Sequence, residues 1–168
     1  MRPLNYDEIK SVISGSQQHD LKISILLDRP QSDMNIGHIF RLADAAGLKH
    51  IYILNPAFHL NWQKIEKLSR KNSRHIPYTL LDTIDKALSL KTLIGLEWTD
   101  ESHSTFKYEL QDRKDITLVV GNEQKGIQPS LLDLCELSLH IPMYGLHSSM
   151  NMAMATSIVV YQLISKSL

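Results

Sequence analysis

Three short segments hold most of the side chains able to do chemistry. In "NIGHIFRLADAAG", residues 35–47, the amide of Asn35 stands six residues before the guanidinium of Arg41. Helical spacing sets two such residues about 120° apart around the axis, so they need not share a face. Arg41 stands among Ile39, Phe40, Leu42 and Ala43, and two readings are open. One is a surface arginine with an apolar stem or a pairing to Asp33 or Asp44; the other is an arginine at a strand-to-helix junction, gripping a phosphate with its planar fork.

In "GNEQKGI", residues 121–127, two glycines five apart follow the apolar run "ITLVV". A P-loop needs Lys and then Ser or Thr after its second glycine. Ile127 and Gln128 stand there instead, so the loop cradles no nucleotide phosphate. Glu123 is either a carboxylate at a helix start or a group facing a ligand beyond a strand's carboxyl end. In "IPMYGLHSSMNMAMA", residues 141–155, Ser148, Ser149 and Asn151 crowd before an apolar helix, and one N-cap accounts for only one of them. No Gly-x-Ser-x-Gly elbow supports a hydrolase built on Ser149 and His147, and "DRPQSDMNIG" after the first strand lacks a dinucleotide-binding glycine pattern.

A fourth pattern is a charge stripe. Lys64, Lys67, Lys71 and Arg74 recur at spacings of 3, 4 and 3, with Arg70 and His75 beside them and Glu66 the only acid. On one continuous helical face they would track a nucleic-acid backbone, or form a solvated surface.

These segments need a scaffold. The runs at 22–28, 50–54, 92–97, 116–121 and 137–143 are short and rich in Ile, Val and Leu, as strands buried on both faces are. Helical patterns lie between them: Ile36, Ile39, Phe40, Ala43 and Ala46 with Gly47 as a stop, segments opening at Asp82 and Pro129, and a terminal helix over 151–168. Alternating strand and helix predicts an α/β fold, a parallel sheet flanked by helices. Residues 98–115 carry no regular pattern and are expected to form a mobile surface loop.

With 168 residues, the chain is expected to be a single domain over 1–168, residues 1–20 being an N-terminal helical extension. The 18 basic and 18 acidic residues cancel, so an RNA partner would need a local patch. One cysteine, Cys135, rules out an internal disulfide framework and a cysteine-only metal site, and no run approaches the length of a membrane span. A cytoplasmic location is expected, with no membrane association.

Taken in order, the three segments resemble the motifs of the SpoU/TrmH family of RNA ribose 2'-O-methyltransferases, in the SPOUT class. The resemblance runs from about Lys22 to the C-terminus, with Met150 where relatives carry Leu and "RKNSRHIPY" where many carry a Ser-x-Gly-Ala-like segment. It implies a C-terminal deep trefoil knot and S-adenosyl-L-methionine as cofactor, with no metal. Leu96, Gly121, Ile141, Ser149 and Met150 would form the adenosyl pocket, with the glycines letting backbone approach the cofactor. The catalytic set would be Arg41, Asn35, Glu123, Ser149 and Asn151, and the partners RNA and a second copy of the chain in a homodimer. Lys64, Lys67, Arg70, Lys71 and Arg74 are the candidate RNA-docking residues. The substrate reading is tRNA over rRNA, because little room is left for a separate RNA-binding domain; a non-catalytic RNA-binding protein is the rival.

Overall fold

The structure, a computed structural model, describes residues 2–15, 19–56 and 58–168. The N-terminal extension expected over 1–20 contains helix α1 (Tyr6–Gly15), while residues 1 and 16–18 of it lie outside the described residues. Seven strands follow: β1 (Lys22–Asp28), β2 (His50–Leu54), β3 (Tyr78–Leu81), β4 (Leu93–Leu96), β5 (His103–Ser104), β6 (Asp115–Val120) and β7 (Leu137–His140). They form one sheet in the order β3-β2-β1-β6-β4-β7-β5, and every pairing is parallel.

The apolar runs become strands because both faces of the sheet are covered. Ile23, Ile25 and Leu27 point into one core with Ile36, Ile39 and Phe40 of helix α2 (Asp33–Ala45) and Val159, Val160 and Leu163 of helix α5 (Met152–Ser165). Leu26 points the other way, joining Leu54, Leu81, Leu93, Val119, Ile127 and Leu131. This strand alternation gives each inward side chain full burial, about 1.5–3 kcal/mol for an Ile or Leu. Helix α2 starts at Ser32, whose hydroxyl accepts from the Asn35 N–H at 3.4 Å. Pro129 opens the single turn of α4 (Pro129–Leu132), where the missing proline N–H does no harm.

Three expectations change. The segment opening at Asp82 forms a 3-10 helix over Ile84–Ser89 rather than an α-helix. Residues 98–115 are not a free loop. They contain β5 on the sheet edge and the fully buried Thr105, and the ammonium of Lys166, the residue capping the C-terminus of α5, donates to the carbonyls of Phe106 and Tyr108. The basic stripe does not lie on one helix, because α3 (Trp62–Leu68) ends before Arg70 and Lys71, which take left-handed backbone at φ +53° and +69°. A 3-10 turn then carries Asn72–Arg74. Among the described residues no helix is long and apolar enough to cross a membrane.

Candidate active site

Strand order reverses beside β1, where β2 and β3 extend to one side and β6, β4, β7 and β5 to the other. In open parallel sheets that is where a crevice forms beyond the carboxyl ends of the strands. The loops leaving β1, β4, β6 and β7 meet there. A cavity of about 490 Å³ opens among them, lined by Asn35, the segments that follow β4, β6 and β7, and the first turn of α5. That size suits a small organic ligand.

The loop after β6 closes on itself. Asn122 and Gly126 exchange backbone hydrogen bonds at 3.0 Å each, and the Asn122 side-chain oxygen accepts from the N–H groups of Gln124 and Lys125, both at 3.0 Å. The Asn122 amide donates to the Arg29 carbonyl at 2.6 Å, tying the loop to the end of β1. The glycines serve this closure while both stay on the cavity wall. A Cβ on Gly121 would stand 2.3 Å from the Gly126 carbonyl carbon, and Gly126, at φ +67°, has no room for one beside the Glu97 carboxylate. Only glycine takes that backbone and that contact without strain.

A buried brace lies beneath the loop. Asp28 is fully buried and accepts from the Arg29 guanidinium at 3.0 Å through each oxygen, and from the Gln128 backbone and side-chain amides at 2.8 and 2.6 Å. Hydrogen bonding to Asp28 holds the Arg29 guanidinium above its ordinary pKa, against the opposing effect of burial. Glu97 braces the far side, accepting from the N–H groups of Ile127 at 3.0 Å and Trp98 at 3.1 Å.

Four of the five expected catalytic residues meet on the cavity wall. Asn35 is buried and donates its amide to Glu123 at 2.9 Å, while the Asn151 amide donates to the Asn35 side-chain oxygen at 2.9 Å. Glu123 also accepts from the Gln31 N–H at 2.9 Å, and Asn151 caps α5 by accepting from Ala153 and Met154 at 2.9 and 3.2 Å. One chain of hydrogen bonds thus joins the β1 loop, the β6 loop, α2 and α5. Ser149 is exposed on the same wall, and the polar residues left over from capping, Ser148 and Ser149, both line the cavity.

Arg41 is not brought there. It is exposed on α2 and absent from the cavity wall. The physical reason is the angular offset from Asn35, together with a rise of about 9 Å along the helix over six residues. The carboxylates read as its surface partners are taken, Asp33 by Lys64 at 3.6 Å and Asp44 by His75 at 3.1 Å. All five residues expected around an adenosyl group, Leu96, Gly121, Ile141, Ser149 and Met150, line the cavity.

The basic residues at 64–74 lie on the surface around α3. Lys67, Arg70 and Lys71 share a shallow depression with Gln63 and Glu66, whereas Arg74 is paired to Glu66 and Lys64 to Asp33. Sequence reasoning missed the Asp28–Arg29–Gln128 brace, the Glu97 brace and the ring pair of Trp98 and His140 on the rim. "LDRP" offered an acid and a base after a strand, but no local signal pointed to partners some hundred residues away. Among the described residues no group of three or more His, Cys, Asp or Glu side chains is arranged to hold a metal ion.

The fold and site define an α/β protein with a small-molecule cavity at the switch point of a parallel sheet and an amide–carboxylate cluster on its wall. The chain belongs to the SpoU rRNA Methylase family, which matches residues 22–161. It is 29% identical over 140 residues to the 23S rRNA (guanosine(2553)-2'-O)-methyltransferase RlmP of Bacillus subtilis, covering 83% of this chain and 56% of that protein. It is 27% identical over 145 residues to the tRNA (guanosine(18)-2'-O)-methyltransferase of Aquifex aeolicus, covering 82% and 66%. The chain therefore spans between about half and two thirds of the length of these curated relatives. Two solved structures share the fold. AviRb of Streptomyces viridochromogenes, a SpoU methyltransferase solved with AdoMet, superposes with TM-score 0.73 at 24% identity over 99% of this chain and 66% of that one. The TrmH/SpoU tRNA modifying enzyme of A. aeolicus gives 0.77 at 22% identity over 95% and 82%.

Proposed function

We propose that the protein is a cytoplasmic S-adenosylmethionine-dependent methyltransferase that methylates a ribose 2'-hydroxyl in RNA, with tRNA as substrate and rRNA as the alternative. The reading is carried by the Glu123–Asn35–Asn151 hydrogen-bonded chain on the wall of the cavity that the five adenosyl-pocket candidates also line. Relatives named for both RNAs support the reaction class.

The cavity suits the cofactor in size and in lining. Leu96, Ile141 and Met150 would contact the adenosyl group, Gly121 would offer backbone and Ser149 a hydroxyl. When bound, the cofactor supplies a methyl group on a sulfonium, and transfer to a hydroxyl depends mainly on alignment and on easing loss of one proton. After their mutual bonds, Asn35 and Asn151 each keep one amide hydrogen, and Glu123 keeps lone pairs. These groups would hold the ribose, with Glu123 orienting both amides. A guanidinium stays protonated at any working pH and is a poor base. Exposed and unpaired by Asp33 or Asp44, Arg41 instead binds the phosphate next to the target ribose. Replacing Arg41 with Lys keeps the charge and removes the fork; turnover is expected to fall at least tenfold with cofactor affinity unchanged, and wild-type turnover would remove Arg41 from the scheme.

We assign RNA docking to Lys64, Lys67, Arg70, Lys71 and Arg74, of which Lys67, Arg70 and Lys71 share the depression beside α3. A homodimer is supported by apolar side chains left open near the site: Met34 at 47% exposure, Met154 at 61% and Leu146 fully exposed. A C-terminal trefoil knot within a single domain is supported by the position of β7 between β4 and β5 and by the return of Asn151 to Asn35.

The test is incubation with methyl-labelled S-adenosylmethionine and, separately, unmodified tRNA and rRNA pools, followed by digestion to nucleosides. A labelled 2'-O-methylnucleoside from tRNA alone is expected. Label from rRNA alone would overturn the substrate, and no cofactor binding would overturn the enzyme reading.

A further inference from the structure

Trp98 stands two residues past the end of β4, on the cavity rim, and its indole lies on the imidazole of His140 with ring centroids 3.8 Å apart and planes 20° from parallel. The tryptophan nevertheless remains 52% exposed. A lone half-exposed aromatic would need no explanation. Here every layer beneath it is tied down. The backbone N–H of Trp98 donates to Glu97, whose other oxygen holds the backbone N–H of Ile127 at 3.0 Å. His140 Nδ1 lies 2.9 Å from the Ser102 hydroxyl, which itself donates to the Thr99 carbonyl at 2.8 Å and accepts from the Thr99 N–H at 3.1 Å. This contact, together with the Trp98 ring stacked on it, fixes the orientation of the lower ring.

The result is a two-ring stack with a half-exposed upper ring, lining the same cavity as Leu96, Gly121, Ile141, Ser149 and Met150. We propose that Trp98 is the stacking platform for an unpaired nucleobase of the RNA whose ribose enters the cavity. The proposal rests on the RNA reading above and adds how the nucleotide is held. A ribose hydroxyl reaches a recessed site only when its nucleotide is splayed from its neighbours, which strips the base of stacking. An aromatic face restores that stacking whatever the base, because every base has a π-face. Its near-parallel rings already show the geometry a third ring would continue.

The protein contains two tryptophans, Trp62 and Trp98. A Trp62→Phe variant leaves Trp98 as the sole reporter, since Trp62 only packs its ring against Phe40 and Tyr78. Its fluorescence is titrated with a short single-stranded oligoribonucleotide and, separately, with S-adenosylhomocysteine. Quenching by the oligonucleotide is expected, and Trp98→Leu should weaken its binding roughly 10-fold with S-adenosylhomocysteine affinity unchanged, while Trp98→Phe recovers most of the loss. Unchanged oligonucleotide affinity in Trp98→Leu would overturn the proposal. So would loss of S-adenosylhomocysteine affinity in its place, which would assign the platform to the adenine. None of these readings needs turnover, so quenching without methyl transfer would retire the enzyme reading and leave the platform standing.

Discussion

The cavity wall and the basic segment around α3 both gather polar side chains, yet they are built in opposite ways. On the wall and in the brace beneath it, Asn35, Asn122 and Asp28 are buried and each bonds to a group from another part of the chain. Around α3 the pairs are mainly exposed ends of long side chains, such as Arg74 with Glu66 at 62% and 34% exposure. Buried polar groups with every partner present fix geometry, and removing one leaves a desolvated group behind. Exposed ion pairs contribute little and are screened by salt. One region can hold atoms in place for a reaction; the other can hold a long polyanion loosely and let it go.

Arg29→Ala gives the largest expected effect. It strips the fully buried Asp28 of its charge partner and leaves only the Gln128 amides. Breaking such a pair costs about 3–5 kcal/mol, which a denaturant titration would read. A change of only a few tenths would mean that the wall is no more tightly built than the surface. Asn35→Ala comes next, because it cuts the Glu123–Asn151 chain in the middle. A stability loss of about 1–3 kcal/mol is expected. Single-turnover methyl transfer should also fall by roughly a hundredfold, the tenfold-per-1.36-kcal/mol equivalent of some 2.7 kcal/mol.

Asn151→Asp sharpens the contrast within the wall. Aspartate caps a helix as well as asparagine does, so α5 should keep its stability within about 0.5 kcal/mol. The lost amide donor and the added charge beside the Asn35–Glu123 pair should still lower turnover roughly tenfold; equal activity would reduce Asn151 to a helix cap. The smallest effect is expected from the double change Lys67→Ala and Lys71→Ala. Stability should stay within about 0.5 kcal/mol, while RNA affinity falls several-fold at low salt and the log–log salt slope drops by roughly 1.4–1.8. A salt-independent loss would place these lysines in a specific site and erase the distinction between the regions.

The sequence foretold these regions unevenly. Strands β1, β2 and β6 were legible because both of their faces are apolar, which needs no knowledge of neighbours. Helix α2 was legible from its spacing, and the three motif segments supplied four of the five expected catalytic residues that meet on the wall. The end of α3 was not legible, since Arg70 and Lys71 adopt left-handed backbone without the glycine or asparagine that usually announces it. Nor was the Trp98–His140 pair, which exists only because β4 and β7 are neighbours in the sheet. Strand order is set by crossovers, and no local pattern encodes it. Arg41 shows the limit of a motif: the segment fixed its helix and its register, while the direction it faces followed from which side of α2 the core occupies.

The hydrogen bonds of the wall join residues far apart in the chain: 88 positions separate Asn35 from Glu123, and 116 separate it from Asn151. Contacts of such long sequence separation are slow to form, because the intervening chain must be ordered first. During synthesis, a chain that has emerged only through β6 has its central strands and no cavity, since the wall still lacks the residues that follow β7 and the cap of α5. Competence to bind is therefore a property of the finished molecule alone, and any ligand of the cavity selectively protects chains that have completed their folding.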